Sequence, residues 1–215
     1  MNGCRRICCR AGLGWAALGL LVLLSAQVAW KPASQRQTIG KFHRQLIWAA
    51  AVFLTLQIAF GAWVSTNYAV LACPDFPTCV GALWPETDWH EGFTLWRELG
   101  LNAKGEIISP VALQTIHWAH RIFAILVVLI LGFLGLNALQ MSNAALPEIG
   151  RIAKLLLVLI ILQVLTGISN VIFQWPLAAA LLHTAGSAAL VFCLVRLSQW
   201  ASWGSPLHIK MIKSL

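Results

Sequence analysis

Charge is what this sequence lacks most. Of its 215 residues only 10% are charged and 59% are hydrophobic, and the mean hydropathy is +0.77. A soluble domain carries about a quarter charged residues and less than half apolar ones. The chain therefore has too few polar side chains to cover a surface in water, which excludes a soluble domain and a disordered chain. A nucleic-acid partner is excluded on the same ground, although the net charge is +8. Acidic residues are scarcer still: there are seven, none lies inside an apolar run, and six (Asp75, Glu86, Asp88, Glu91, Glu98, Glu106) share one connection at about 70–110. Without a carboxylate or a nearby cysteine among the membrane histidines, a tetrahedral zinc site lacks its fourth ligand.

What is present is a series of apolar runs. A bilayer core needs roughly 20 residues of helix, and five runs meet that length: 11–30, 46 to about 69, 111 to about 139, 152–173 and 177 to about 197. The expectation is an all-α, polytopic membrane helical bundle of about five transmembrane helices. It divides into a basic N-terminus with an atypical first span and linker (1–44), a four-helix membrane domain (45–199) and a tail (200–215). Lys31, Arg36, Lys41 and Arg44 in the linker, Arg151 and Lys154, and Lys210 and Lys213 mark basic ends, which face the cytoplasm. The acidic connection at about 70–110 is then extracytoplasmic and the C-terminus cytoplasmic, as in a bacterial-type inner membrane. The first span has basic residues on both flanks (Arg5, Arg6 and Arg10 before it) and also resembles a signal peptide. Its topology stays open.

Cysteine follows this division. Cys4, Cys8 and Cys9 sit in the basic N-terminus, reduced or acylated, with no further ligand nearby for a metal; Cys193 is a small apolar residue of the last span. Cys73 and Cys79 flank Pro-Asp-Phe-Pro-Thr just outside the second span. They read either as a disulfide, admissible in an extracytoplasmic loop, or as two free thiols at a helix end. The loop beyond holds Trp84, Trp89, Phe93 and Trp96, aromatics suited to the headgroup level. Within it, 89–99 reads as a short interfacial helix and 102–105 as a turn.

Two spans repeat a pattern: Leu56-Gln57-Ile58-x-x-Gly61 and Leu162-Gln163-Val164-x-x-Gly167. Each is followed by a span with histidine near its loop end, so 45–139 and 151–199 read as duplicated helix pairs. Gly61, Gly167 and Gly186 permit close approach of helices, or of a flat ligand. His43 and His208 read as solvated bystanders, and His90 as interfacial or functional. His117, His120 and His183 lie at membrane depth, where such groups default to function. His120 is roughly 13 Å and His183 roughly 9 Å from the loop-side ends of their spans at 1.5 Å per residue. Two imidazoles at similar depth suit the two axial positions of a haem iron, an arrangement that favours electron transfer. His117, one turn from His120 on the same face, admits a propionate contact, substrate handling or interfacial water. Arg121 admits a propionate or a lipid phosphate.

These residues carry a family resemblance. The stretch 57–85, Gln-Ile-Ala-Phe-Gly-Ala-Trp-Val-Ser-Thr-Asn-Tyr-Ala-Val-Leu-Ala-Cys-Pro-Asp-Phe-Pro-Thr-Cys-Val-Gly-Ala-Leu-Trp-Pro, is followed by Ile116-His117-Trp118-Ala119-His120-Arg121, by 163–173, and by His183-Thr184-Ala185-Gly186. In residues and order the chain resembles the haem A synthase family of membrane cytochrome-oxidase assembly enzymes, in its C-terminal half, over about 45–199. The resemblance implies an eight-helix architecture of two similar four-helix halves, the last four spans here being one haem-binding half. It implies that His120 and His183 ligate the iron of haem b, and that Cys73 and Cys79 form a disulfide. The family reaction it implies is oxidation of the C8 methyl of haem O to the formyl group of haem A.

The other half of the family carries a glutamate linked to substrate oxidation, three residues before its own His-Arg histidine; this sequence has His117 there, so no catalytic residue is assigned. Three accounts follow: a split or truncated synthase component that works with a separate N-terminal half or as a homodimer; a non-catalytic membrane haem-binding or electron-transfer module; or an inactive truncated fragment. The partners implied are haem O, a haem O synthase, an electron donor and membrane lipid.

Overall fold

The computed structural model describes residues 40–98, 100–142 and 147–202. The expected first span, Cys4, Cys8, Cys9, His208 and the tail beyond 202 lie outside the described residues. Four long helices dominate: α1 (Lys41–Thr66), α3 (Pro110–Met141), α4 (Pro147–Ile172) and α5 (Leu177–Ser202), with the single-turn α2 (Trp89–Gly92) between α1 and α3. The described residues contain no strand, only two isolated bridges, Cys79 with Ala82 and Leu101 with Ile107. All four long helices are long and apolar enough to cross a membrane. At 26 residues, the shorter ones reach about 39 Å against a hydrocarbon core of about 30 Å. Leu129, Ile125, Ile161, Leu165, Leu181 and Leu182 are exposed along them, surface that only lipid covers at no cost. The chain is a multi-pass, all-α membrane protein.

The helices begin where the sequence supplies a residue without a donor to waste. Pro110 and Pro147 open α3 and α4, and Pro176 precedes α5 with its carbonyl accepting from Ala180 N at 3.1 Å.

The chain forms two compact units. One comprises the described residues of Met1–Val52, Ile130–Leu159 and Ala188–Leu215. Its interior is aliphatic, with Ile47, Leu131, Leu134, Leu156, Leu190 and Leu194 buried, as is the free thiol of Cys193. Gly135 admits Leu157, whose Cδ2 would lie 2.8 Å from any Cβ there.

The other unit is Phe53–Leu129 with Ile160–Ser187, and contains every loop residue from 67 to 109. Val64, Ala69, Ile108, Ala112 and Ile116 form one buried cluster, and Trp118 packs on Cys73 and Cys79 in a second. The loop is tied to the helices by named bonds. Trp63 Nε1 donates to Gly92 O at 2.9 Å, Trp118 Nε1 to Leu83 O at 3.1 Å, and Asp88 N to Thr115 Oγ1 at 2.8 Å. Arg97 donates to Asn67 Oδ1 and Leu101 O, both at 2.7 Å.

The interfacial helix expected over 89–99 closes after one turn. Asp88 caps it by accepting from Glu91 N at 2.9 Å, but Glu91 itself turns to Ser109, accepting from its hydroxyl at 2.6 Å. Thr94 Oγ1 takes up His90 O at 2.6 Å, and Arg97 is drawn to Asn67. These tertiary partners outbid a second helical turn. The turn expected at 102–105 is present, with Gly105 N donating to Asn102 O at 3.1 Å and Gly105 at φ 81°.

Candidate functional site

The repeated Gln-x-x-x-Gly motif lies within one unit, on α1 and on α4. Residues four apart share a helix face, so Gln57 and Gly61 point the same way, as do Gln163 and Gly167. Each motif receives the histidine of the following long helix. A Cβ at Gly61 would lie 3.2 Å from His120 Cε1, and one at Gly167 3.3 Å from His183 Cε1. Both imidazoles thus rest where only glycine leaves ordinary room. In each pair the glutamine amide also anchors the histidine's backbone: Gln57 Nε2 donates to His120 O at 3.3 Å, and Gln163 Nε2 to His183 O at 2.8 Å. Carbonyls of helical residues rarely have a donor to spare in an apolar medium, so this second bond fixes the height of each histidine against its neighbour helix.

The surroundings of the two rings then diverge. His120 has the Gln57 amide beside it, with Nε2 3.1 Å from its Nδ1. His183 has Thr166 Oγ1 3.0 Å from its Nδ1. Gly186 makes way for the second glutamine, because a Cβ there would fall 2.3 Å from Gln163 Nε2. Among the described residues no group of three or more His, Cys, Asp or Glu side chains is placed to hold a metal ion.

His117 and Arg121 form a separate layer with the loop. Arg121 Nε donates to His117 Nε2 at 3.3 Å, which occupies that nitrogen's lone pair and assigns the ring proton to Nδ1. Arg121 Nη1 donates to Asp75 O and Thr78 O, both at 2.9 Å, and Nη2 to Cys73 O at 2.7 Å. Four of its five N–H groups are therefore spent on His117 and on the carbonyls of the loop joining the two cysteines. Cys73 and Cys79 are joined by a disulfide, Cα to Cα 4.6 Å, with both residues buried. Asp75 closes the same loop from within. Its carboxylate accepts from Thr78 Oγ1, from Val80 N at 2.7 Å and from Gly81 N at 2.9 Å. The Thr78 hydroxyl, then the loop amides, pull the Asp75 carboxyl down from 3.8 to about 2. The Ser109 hydroxyl likewise holds Glu91 below the ordinary glutamate value.

The structure thus brings His120 together with Gln57 and Gly61, His183 with Gln163, Thr166 and Gly167, and His117 with Arg121 and the disulfide loop. His90 is exposed in the loop and His43 lies in the other unit. Thr166 and Asp75 are the residues that sequence reasoning passed over. Thr166 carried a signal, being a hydroxyl in an apolar span one residue before the motif glycine.

A family described as cytochrome oxidase assembly protein matches residues 10–195. A protein named heme A synthase, from Shewanella oneidensis, is 30% identical over 185 residues, covering 86% of this chain and 54% of that protein. The chain spans about half the length of the curated relative it matches. With the match running through both helix pairs, the chain belongs to the cytochrome oxidase assembly protein family.

Proposed function

We propose that this chain is a haem A synthase-type membrane module in which His120 and His183 would hold the iron of a haem b. The observation that carries the reading is the paired construction: two helices each present a glutamine and a glycine four residues apart, and each seats one histidine of the next helix. The donor set fits the group. Two imidazoles among apolar helices would hold the iron of a haem, which would supply one-electron transfer.

The chain's own residues do the holding. Gly61 and Gly167 leave room for the rings, Gln57 and Gln163 fix their height, and the apolar span residues keep water out. Arg121 and His117 anchor the loop beside the site. In the whole protein the reaction implied is oxidation of the haem O C8 methyl to a formyl group. These helices would supply the haem b half of that reaction beside an N-terminal half or a second copy of the chain, with haem O synthase and an electron donor as functional neighbours. The acidic composition of 70–110 and the basic ends support a loop on the extracytoplasmic side of a bacterial-type inner membrane. A second reading, a non-catalytic haem-binding or electron-transfer module, is favoured by one observation: His117, at the position of the other half's glutamate, has its Nε2 lone pair occupied by Arg121.

The test is a reduced-minus-oxidised absorption spectrum with pyridine haemochrome analysis on the detergent-solubilised chain, beside His120→Ala and His183→Ala. A low-spin haem b spectrum that is lost or turned high-spin in both variants is expected. A folded wild-type chain without haem, or a spectrum unchanged in either variant, overturns the reading. Haem A extracted from membranes that express the chain separates the synthase account from the electron-transfer module.

A further inference from the structure

The two histidines share their glycine and glutamine neighbours but not the group at Nδ1, and the difference is chemical. Thr166 Oγ1 carries a single hydrogen. Two carbonyls of its own helix are in reach of it, Leu162 O at 2.8 Å and Gln163 O at 3.2 Å. With that hydrogen given to the backbone, the oxygen faces His183 Nδ1, 3.0 Å away, with lone pairs only. Nδ1 must then carry the ring proton and donate it. We infer that Thr166 is a positioning residue that holds His183 as the Nδ1–H tautomer and so leaves Nε2 with a bare lone pair for the iron that a haem would supply.

The rest of the pocket serves the same orientation. Gly167, one residue on, lies against Cε1, between the two ring nitrogens, and Gln163 fixes the histidine backbone. The corresponding position in the first motif is Phe60, which offers no hydrogen bond. There the Gln57 amide stands 3.1 Å from His120 Nδ1, and its Oε1 is buried without a partner. The Gln57 nitrogen also donates to His120 O at 3.3 Å, so a hydroxyl faces one ring and an amide nitrogen the other. An Nδ1–H···O bond makes an imidazole a stronger donor to a metal, so the Thr166 hydroxyl favours the oxidised iron. This inference rests on the haem reading above for its role, though not for the tautomer itself.

The experiment uses the full chain labelled with 15N-histidine, the His183 signals being assigned by their loss in His183→Gln. Haem-free, the wild type is expected to show His183 as Nδ1–H, Thr166→Val to shift it towards Nε2–H, and Thr166→Ser to restore it. Haem-loaded, Thr166→Val is expected to keep its haem at a raised midpoint potential, again restored by Thr166→Ser. A wild-type His183 found as Nε2–H overturns the inference even if Thr166→Val does not fold, as does a tautomer indifferent to the Val substitution. A correct tautomer in a chain that takes up no haem leaves Thr166's hold on the ring standing, and overturns its role towards an iron together with the haem reading.

Discussion

In the first helix pair, residues 67–109 separate α1 from α3 and fold into a structure of their own, with a disulfide, a capped turn of helix and an arginine drawn into the loop. In the second, α4 passes to α5 through residues 173–176, closed by Trp175 N donating to Asn170 O at 2.8 Å, with Gln174 and Trp175 in the left-handed region at φ 52° and 64°. Yet both pairs seat a histidine against a glycine at nearly the same distance. The seating of the histidines is therefore a property of the helix motif and not of the connection. The long loop adds something to one side only, and Arg121 is where it attaches. The residue after the second histidine is Thr184, whose hydroxyl simply returns to Ala180 O at 3.0 Å.

That contrast can be broken at its shared part. Gly61→Leu and Gly167→Leu each drive a side chain into an imidazole. Each is expected to weaken haem retention about 10–100-fold, the range for disturbing the shell around a metal ligand. Haem-to-protein ratios after gel filtration measure it, and a large loss from one variant alone would end the equivalence of the pairs.

The next effect tests the difference. Arg121→Ala leaves three loop carbonyls and His117 without their donor, and hydrogen bonds to a charged group contribute about 1.5–3 kcal/mol each. Thermal unfolding in detergent is expected to fall sharply for Arg121→Ala and to stay near wild type for Thr184→Ala. Equal losses would mean that the loop does not depend on its arginine.

The smallest effect is a pH dependence confined to the long loop. Asp75 has a folded value of about 2, below the ordinary 3.8. Its stabilisation is therefore complete above 3.8 and disappears as the pH falls towards 2. Hydrogen exchange at Val80 and Gly81, the two amides that donate to it, is expected to lose protection in that window, and Asp75→Asn to abolish the step. The turn at 173–176 contains no carboxylate and is expected to show no such change.

Much of this was legible beforehand, for reasons that differ by residue. The spans follow from the scarcity of charge, and the Gln-x-x-x-Gly repeat and the two histidines follow from pattern and depth. That the glutamines reach the histidine carbonyls was not legible, because it depends on how neighbouring helices pack, which no single-helix periodicity encodes. The bonds from Arg121 to the loop carbonyls were not legible either, since a list of side chains contains no backbone carbonyls. The helix expected over 89–99 ended early for a related reason: Glu91 and Arg97 found better bonds at Ser109 and Asn67, far along the chain.

The carbonyls around Arg121 act as a solvation shell built into the chain. Three backbone dipoles stand where water molecules would otherwise stand, much as carbonyl oxygens replace the hydration of an ion in a channel filter. An arginine solvated in this way does not need phosphate headgroups to settle its charge. Its position is set by the fold, so the arrangement beside His120 should be the same in anionic lipid, zwitterionic lipid and detergent.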